Sequence, residues 1–125
     1  MFPPIYQVLK DSAPVASIVQ TRIYRHGRAP QEVTKPYVTW FVASVAPANN
    51  LSSPPGHDQC VVQIDCWHPQ DSGVQDLAEA VRDAMEQVSH MTGLIANERD
   101  SETKLYRVAL QFDYWLPREA TSFNS

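Results

Sequence analysis

A chain of 125 residues is long enough for one hydrophobic core and too short for two, and with 43% hydrophobic and 19% charged residues it lies outside the composition of disordered segments. A formal charge of -4 argues against a protein whose main task is gripping phosphate backbones, which needs clustered Lys and Arg, so no specific nucleic acid partner is expected. No apolar run approaches the ~20 residues of a membrane span, and Met1-Phe2-Pro3-Pro4 lacks the basic start and apolar core of a signal peptide, which points to a cytosolic protein with no membrane partner.

Pro3 and Pro4 can open a helix, where a missing amide hydrogen is no loss, and Ile5, Val8 and Leu9 then fall at helical spacing up to about Asp11. Ser12 can cap a further turn with Pro14 early and Val15, Ile18 and Val19 facing inward, giving one broken N-terminal helix. Arg22-Ile23-Tyr24-Arg25 reads as a short strand, followed by a polar loop over residues 26–35. Pro36 pushes the chain toward extended geometry, and residues 37–46 are rich in β-branched and aromatic side chains. Val38, Trp40 and Val42 oppose Tyr37, Phe41 and Val45, a pattern that points to cover on both faces of this first long strand.

Residues 47–58, with Pro54-Pro55-Gly56, form the most loop-like segment, long for a hairpin connection. A second long strand spans 59–68, with Cys60, Val62, Ile64 and Cys66 on its core face and Gln63 and Asp65 on the other. Asp71-Ser72-Gly73 with Gln75 supplies a capping signal, after which Leu77, Ala78, Val81, Ala84, Met85, Val88 and Met91 trace an apolar stripe that Gly93 ends at C′. Asp76, Glu79, Arg82, Asp83 and Glu86 form its wet face. A polar turn over 97–103 leads to a last strand over 104–116, where Tyr106, Val108, Leu110, Phe112 and Tyr114 alternate with Arg107, Gln111 and Asp113. Pro117 stops it, leaving residues 1–117 as a single domain and 118–125 as a flexible tail.

The expected fold is α+β: a small, mostly antiparallel sheet of three long strands and one short, with the N-terminal helix and one long amphipathic helix on one face. The strands over 37–46 and 59–68 pair as a hairpin, and the last strand returns to the same sheet on either side of it.

His57, Asp58, Cys60, Cys66 and His68 invite a zinc site, but no C-x-x-C or H-x-x-x-H pair is present, and strand cysteines at this parity act as small hydrophobes. Cys60 and Cys66 lie too far apart on an extended backbone to bridge each other. No G-x-S-x-G, P-loop or G-x-G-x-x-G motif occurs, and the carboxylates of the long helix read as a solvated face rather than an acid/base pair. No catalytic residue, cofactor or metal is therefore assigned. Trp67 and Trp115 share the parity of the polar residues Asp65 and Asp113, and large aromatics on a polar sheet face suit a protein–protein contact.

The order Arg22-Ile23-Tyr24, Pro36-Tyr37-Val38, Val62-Gln63-Ile64-Asp65-Cys66-Trp67, the Leu77-Ala78 helix and Tyr106-Arg107 to Tyr114-Trp115 resembles the tail completion, or tail terminator, proteins of long-tailed bacteriophages, from about Ile5 to Trp115. The resemblance implies a hexameric ring on the finished tail tube that stops tube polymerisation and presents a surface to the head connector. Its partners would be further copies of itself, the tail tube protein and a head completion or connector protein. It would assemble in the host cytoplasm and remain in the virion tail. The loop over 47–58 matches nothing in that family. An adaptor at another level of the head–tail junction, and a small ligand-binding domain or enzyme, are the alternatives. Interface candidates are Arg25, His26, Arg28, Glu32, Lys35, His57, Asp58, Asp65, Trp67, Arg107 and Trp115.

Overall fold

In a computed structural model that describes residues 3–47 and 56–117, the elements run α1 (Ile5–Lys10), α2 (Ala13–Val19), β1 (Ile23–Arg25), β2 (Tyr37–Pro47), β3 (His57–His68), α3 (Asp71–Met85), β4 (His90–Arg99) and β5 (Tyr106–Pro117). The expected loop over 47–58 and the tail over 118–125 lie largely or wholly outside the described residues. The five strands form one sheet in the order β1-β2-β3-β5-β4, parallel between β1 and β2 and antiparallel elsewhere. The α+β class, the mostly antiparallel sheet and the β2–β3 pairing follow the sequence reading, and β5 settles beside β3. The strand count does not follow it.

β4 is the missing strand. The apolar stripe of α3 was expected to run to Met91, but the helix ends at Met85, where the amide and Oγ of Ser89 both donate to the Met85 carbonyl at 2.8 and 2.7 Å. Val88 is left 43% exposed, and Met91 belongs to β4. An edge strand that bulges at Met91/Gly93 and Leu94/Ala96 loses the alternation that would reveal it, so two residues at accidental helical spacing disguised its start. Gly93 accordingly sits in a strand rather than at a helix C′ position.

The N-terminal segment is two helices rather than one broken helix. Lys10 closes α1, and Ser12 starts α2 by accepting the Val15 amide on Oγ at 3.4 Å, with proline in the first turn. The capping signal of α3 is also displaced: Gln70 occupies the N-cap without a side-chain bond, and Asp71 lies in the first turn, where its carboxylate faces the positive end of the helix dipole. The Gln70 amide instead donates to Nδ1 of His68 at 3.0 Å. The His68 ring lies over Gly73, where a Cβ would come within 2.0 Å of it, so any larger residue here would have to push the imidazole aside.

All three helices pack on one face of the sheet. Ile5, Leu9, Val15 and Val19 meet Val74, Leu77, Val81 and Met85 above Val38, Val62, Ile64, Cys66, Val108, Leu110 and Phe112. Each fully buried aliphatic side chain here contributes about 1.5–3 kcal/mol, and the layer fixes which sheet face is covered. Cys60 and Cys66 are both fully buried free thiols on this face. In β2 the extra residue between Val42 and Ser44 resets the pleat, so Val45 pairs with Cys60 and packs against the core. The mixed pattern of this strand, expected to mean cover on both faces, thus has a different cause: a bulge places Val38, Trp40, Val42 and Val45 together, while Tyr37 and Phe41 remain on the face that no helix covers.

Candidate functional site: the uncovered sheet face

Alternation sends Tyr37 and Thr39 of β2, Gln63, Asp65 and Trp67 of β3, and Arg107 of β5 to the side away from the helices, and the register brings them together: Tyr37 lies opposite Trp67, Thr39 opposite Asp65, and Trp67 opposite Arg107. The Trp67 indole stacks on Tyr37, with centroids 5.9 Å apart and 12° between planes, and its Nε1 donates to Thr39 Oγ1 at 3.1 Å. Tyr24 of β1 extends the row, tilted against Tyr37 at 6.5 Å. On the other side the Arg107 guanidinium lies 5.6 Å from the Trp67 ring, within cation–π range.

Charge completes the cluster. Nε and Nη2 of Arg107 both approach Asp65 Oδ2 at 3.1 Å, Nη1 donates to Glu98 Oε1 at 2.8 Å, and Gln63 Nε2 donates to Asp65 Oδ1 at 2.9 Å. Asp65 is only 6% exposed, on a face that no helix covers, because its neighbours enclose it. Burial works against the charged form of Arg107, but Asp65 and Glu98 outweigh it and raise its pKa. Burial, with help from Asp100, likewise raises the Tyr37 hydroxyl. The result is a surface whose side chains are held in place by one another before any partner arrives, which lowers the entropy cost of association.

The interface candidates fall into three places. Asp65, Trp67 and Arg107 are neighbours at the centre of this face. Arg25, His26, Arg28, Glu32 and Lys35 are exposed at the end of β1 and in the connection to β2, where the His26 ring lies 5.4 Å from that of Phe41. His57, Asp58 and Trp115 sit at the far end of the sheet, where β3 begins and β5 ends. His57 and Asp58, expected in the loop, are strand residues, and Asp58 is 7% exposed opposite Leu116, which leaves it little surface to offer a partner. Tyr24, Tyr37, Thr39, Gln63 and Glu98 complete the central cluster without having been singled out. Parity places Tyr37 and Gln63 on this face from sequence, but only the register shows what each one touches. Glu98 lies on the strand that the sequence concealed.

Among the described residues no three His, Cys, Asp or Glu side chains are placed to hold a metal ion, and no helix is long and apolar enough to cross a membrane. A sheet with helices on one side and an ordered aromatic and ionic surface on the other defines an α+β domain whose most organised feature is a surface rather than a cleft. Residues 3–116 match the family described as Tail completion protein gp17, nearly the whole chain, and the chain belongs to that family of bacteriophage tail structural proteins. The same fold occurs in a chain from the virion of a native gene transfer agent particle (20% identity over 90% of each chain, TM-score 0.65). It occurs again in the gp17 protein of bacteriophage SPP1 (14% identity over 97% of this chain and 88% of that one, TM-score 0.56). No curated protein sequence matches the chain.

Proposed function

We propose that this protein is a tail terminator: a ring of identical copies, most simply six, seats on the end of the tail tube, stops its polymerisation and offers its other side to the head completion or connector protein. Catalysis plays no part in this reading. The ring assembles in the host cytoplasm and stays in the virion tail. What supports the reading beyond family membership is the uncovered sheet face, where Tyr37, Trp67 and Arg107 are locked together by Thr39, Asp65 and Glu98. Aromatic and arginine side chains held rigid are the residue types that dominate association energies. The fold is shared with a chain of a gene transfer agent virion and with the gp17 protein of a bacteriophage.

Deletion of the gene from its phage tests this reading. Loss of the protein should leave tubes of irregular length that fail to join heads, and the wild-type gene supplied in trans should restore joined tails of uniform length. Tails of normal length in the deletion strain would contradict termination. Tails of normal length that fail to join heads would favour an adaptor at another level of the junction.

A further inference from the structure

The β1 edge of the sheet and the solvent face of α3 carry opposite charge. At the β1 edge, Arg22, Arg25, Arg28 and Lys35 stand against the single acid Glu32 over residues 22–35, in a chain whose formal charge is -4. α3, which lies over β5 and β3 on the covered face and only reaches β4, carries Asp71, Asp76, Glu79, Asp83 and, just past its end, Glu86 against the single base Arg82, which is itself paired with Glu86 at 2.9 Å. β3, the nearer of the two strands beneath α3, is two interstrand gaps from β1, about 10 Å at the usual strand spacing, and the groove beside β4 lies farther out still.

The acidic helix also borders an apolar seat. A groove of about 280 Å³ runs between α3 and the outer strands, with Ala78, Met91, Leu94 and Val108 on its walls and Glu79 and Arg82 on its rim. Beside it Leu94 is 55% and Ile95 50% exposed, the two most exposed large hydrophobics of the described residues. The edge strand there is bulged at two points, which discourages simple strand-to-strand addition and leaves side chains to make the contact. The segment that follows β1 matches the groove in kind: Ala29, Pro30 and Val33 alternate with Arg28, Glu32 and Lys35.

We infer that the occupant of this groove is the β1–β2 connection of a second copy, with its Arg28 and Lys35 meeting Glu79 and Asp83 and its Ala29, Pro30 and Val33 lying against Leu94 and Ile95. The contact joins two different surfaces, so it is heterologous, and repeated head to tail it does not stop at a dimer but continues, closing into a ring where the rotation between copies closes. The assignment rests on the ring reading above and gives that ring its polarity around the circumference. It also leaves the Tyr37, Trp67 and Arg107 face outside the subunit boundary and available to another protein.

Charge reversal tests it. Arg28→Glu with Lys35→Glu disables the basic edge, and Glu79→Lys with Asp83→Lys disables the acidic helix face; all four positions are exposed, and circular dichroism checks that each variant is folded. In native mass spectrometry and sedimentation at concentrations where the wild type assembles, each variant alone should stay monomeric. An equimolar mixture should assemble again, because every altered surface then faces an altered partner of opposite sign and every native surface a native one. Assembly of either variant alone to the wild-type extent, or a mixture that stays monomeric while the wild type forms rings, would overturn this contact and leave the ring standing. A wild type that forms nothing larger than a dimer at any concentration would overturn the ring and the contact together.

Discussion

Asp65 and Arg107 form the pair on which the uncovered face is organised, and each depends on the other in a different way. Arg107 keeps 23% of its side chain in solvent, whereas only 9% of the Asp65 side chain is exposed. Arg107→Ala therefore leaves a largely enclosed carboxylate without its cation, with Gln63 as its remaining donor in the cluster and only partial access to water. It should cost about 2–4 kcal/mol in urea unfolding, somewhat below the range for fully buried pairs. Asp65→Ala/Arg107→Ala should cost less than the sum of the single changes, since it removes the stranded charge. Additive costs in the cycle would show that the pair is not coupled. The core thiols make a contrasting case: burial pushes the Cys66 thiol, and less strongly Cys60, up and away from the reactive thiolate. Neither should react with a thiol reagent until the protein unfolds, and replacing both with Ala should cost about 1–3 kcal/mol while the fold persists.

The entry to α3 is where one glycine and one histidine define an element. Alanine normally favours a helix over glycine by about 1 kcal/mol, but at position 73 its Cβ would lie 2.0 Å from the His68 ring. Gly73→Ala should therefore be destabilising, by about 1–2 kcal/mol net in urea unfolding, and should turn stabilising in a His68→Ala background. A gain in the wild-type background would mean that the imidazole moves aside freely. The same ring gives a pH signature. Burial lowers the His68 pKa below the usual 6.5, with Asp76 opposing, and only the neutral ring accepts the Gln70 amide on Nδ1. Since the folded value lies below the unfolded one, the contribution of this group is fully present above pH 6.5 and is lost as pH falls through the folded value. Stability of the wild type relative to His68→Gln should decline on acidification below pH 6.5, and a flat difference across that window would contradict the placement of the ring.

Elements whose core face alternates or repeats without interruption, β3, β5 and the first four turns of α3, were legible in the sequence because one covered face imposes a single period on each. β4 was not, since an exposed edge strand with two bulges has no covered face to impose one. The same limit applies to the site. Parity placed Trp67 beside Asp65 and Arg107 on a polar face, but contacts such as Trp67 on Tyr37 and Glu98 on Arg107 depend on register, which hydrophobic periodicity in separate strands does not specify across a sheet.

At the scale of the whole molecule, one layer of helices makes the protein two-sided. The covered side holds the core, and in the reading proposed above the uncovered side and the two charged surfaces are the ones that meet other chains. Such a division suits a subunit that must touch its own copies laterally and two unlike partners end-on, each through a separate surface. The connection over residues 26–35 lies in solvent at the β1 edge, and loop-closure entropy changes only slowly with length. Trimming it should leave a folded domain by circular dichroism yet fail to restore joined tails in the deletion strain; full complementation would remove this segment from the functional surface. The most direct test of the terminator is electron microscopy of polymerising tail tubes to which the purified protein is added. Termination requires ring-shaped density at one end of each tube and an immediate halt to elongation at that end. Tubes that lengthen unchanged, or protein bound along their sides with both ends bare, would contradict it.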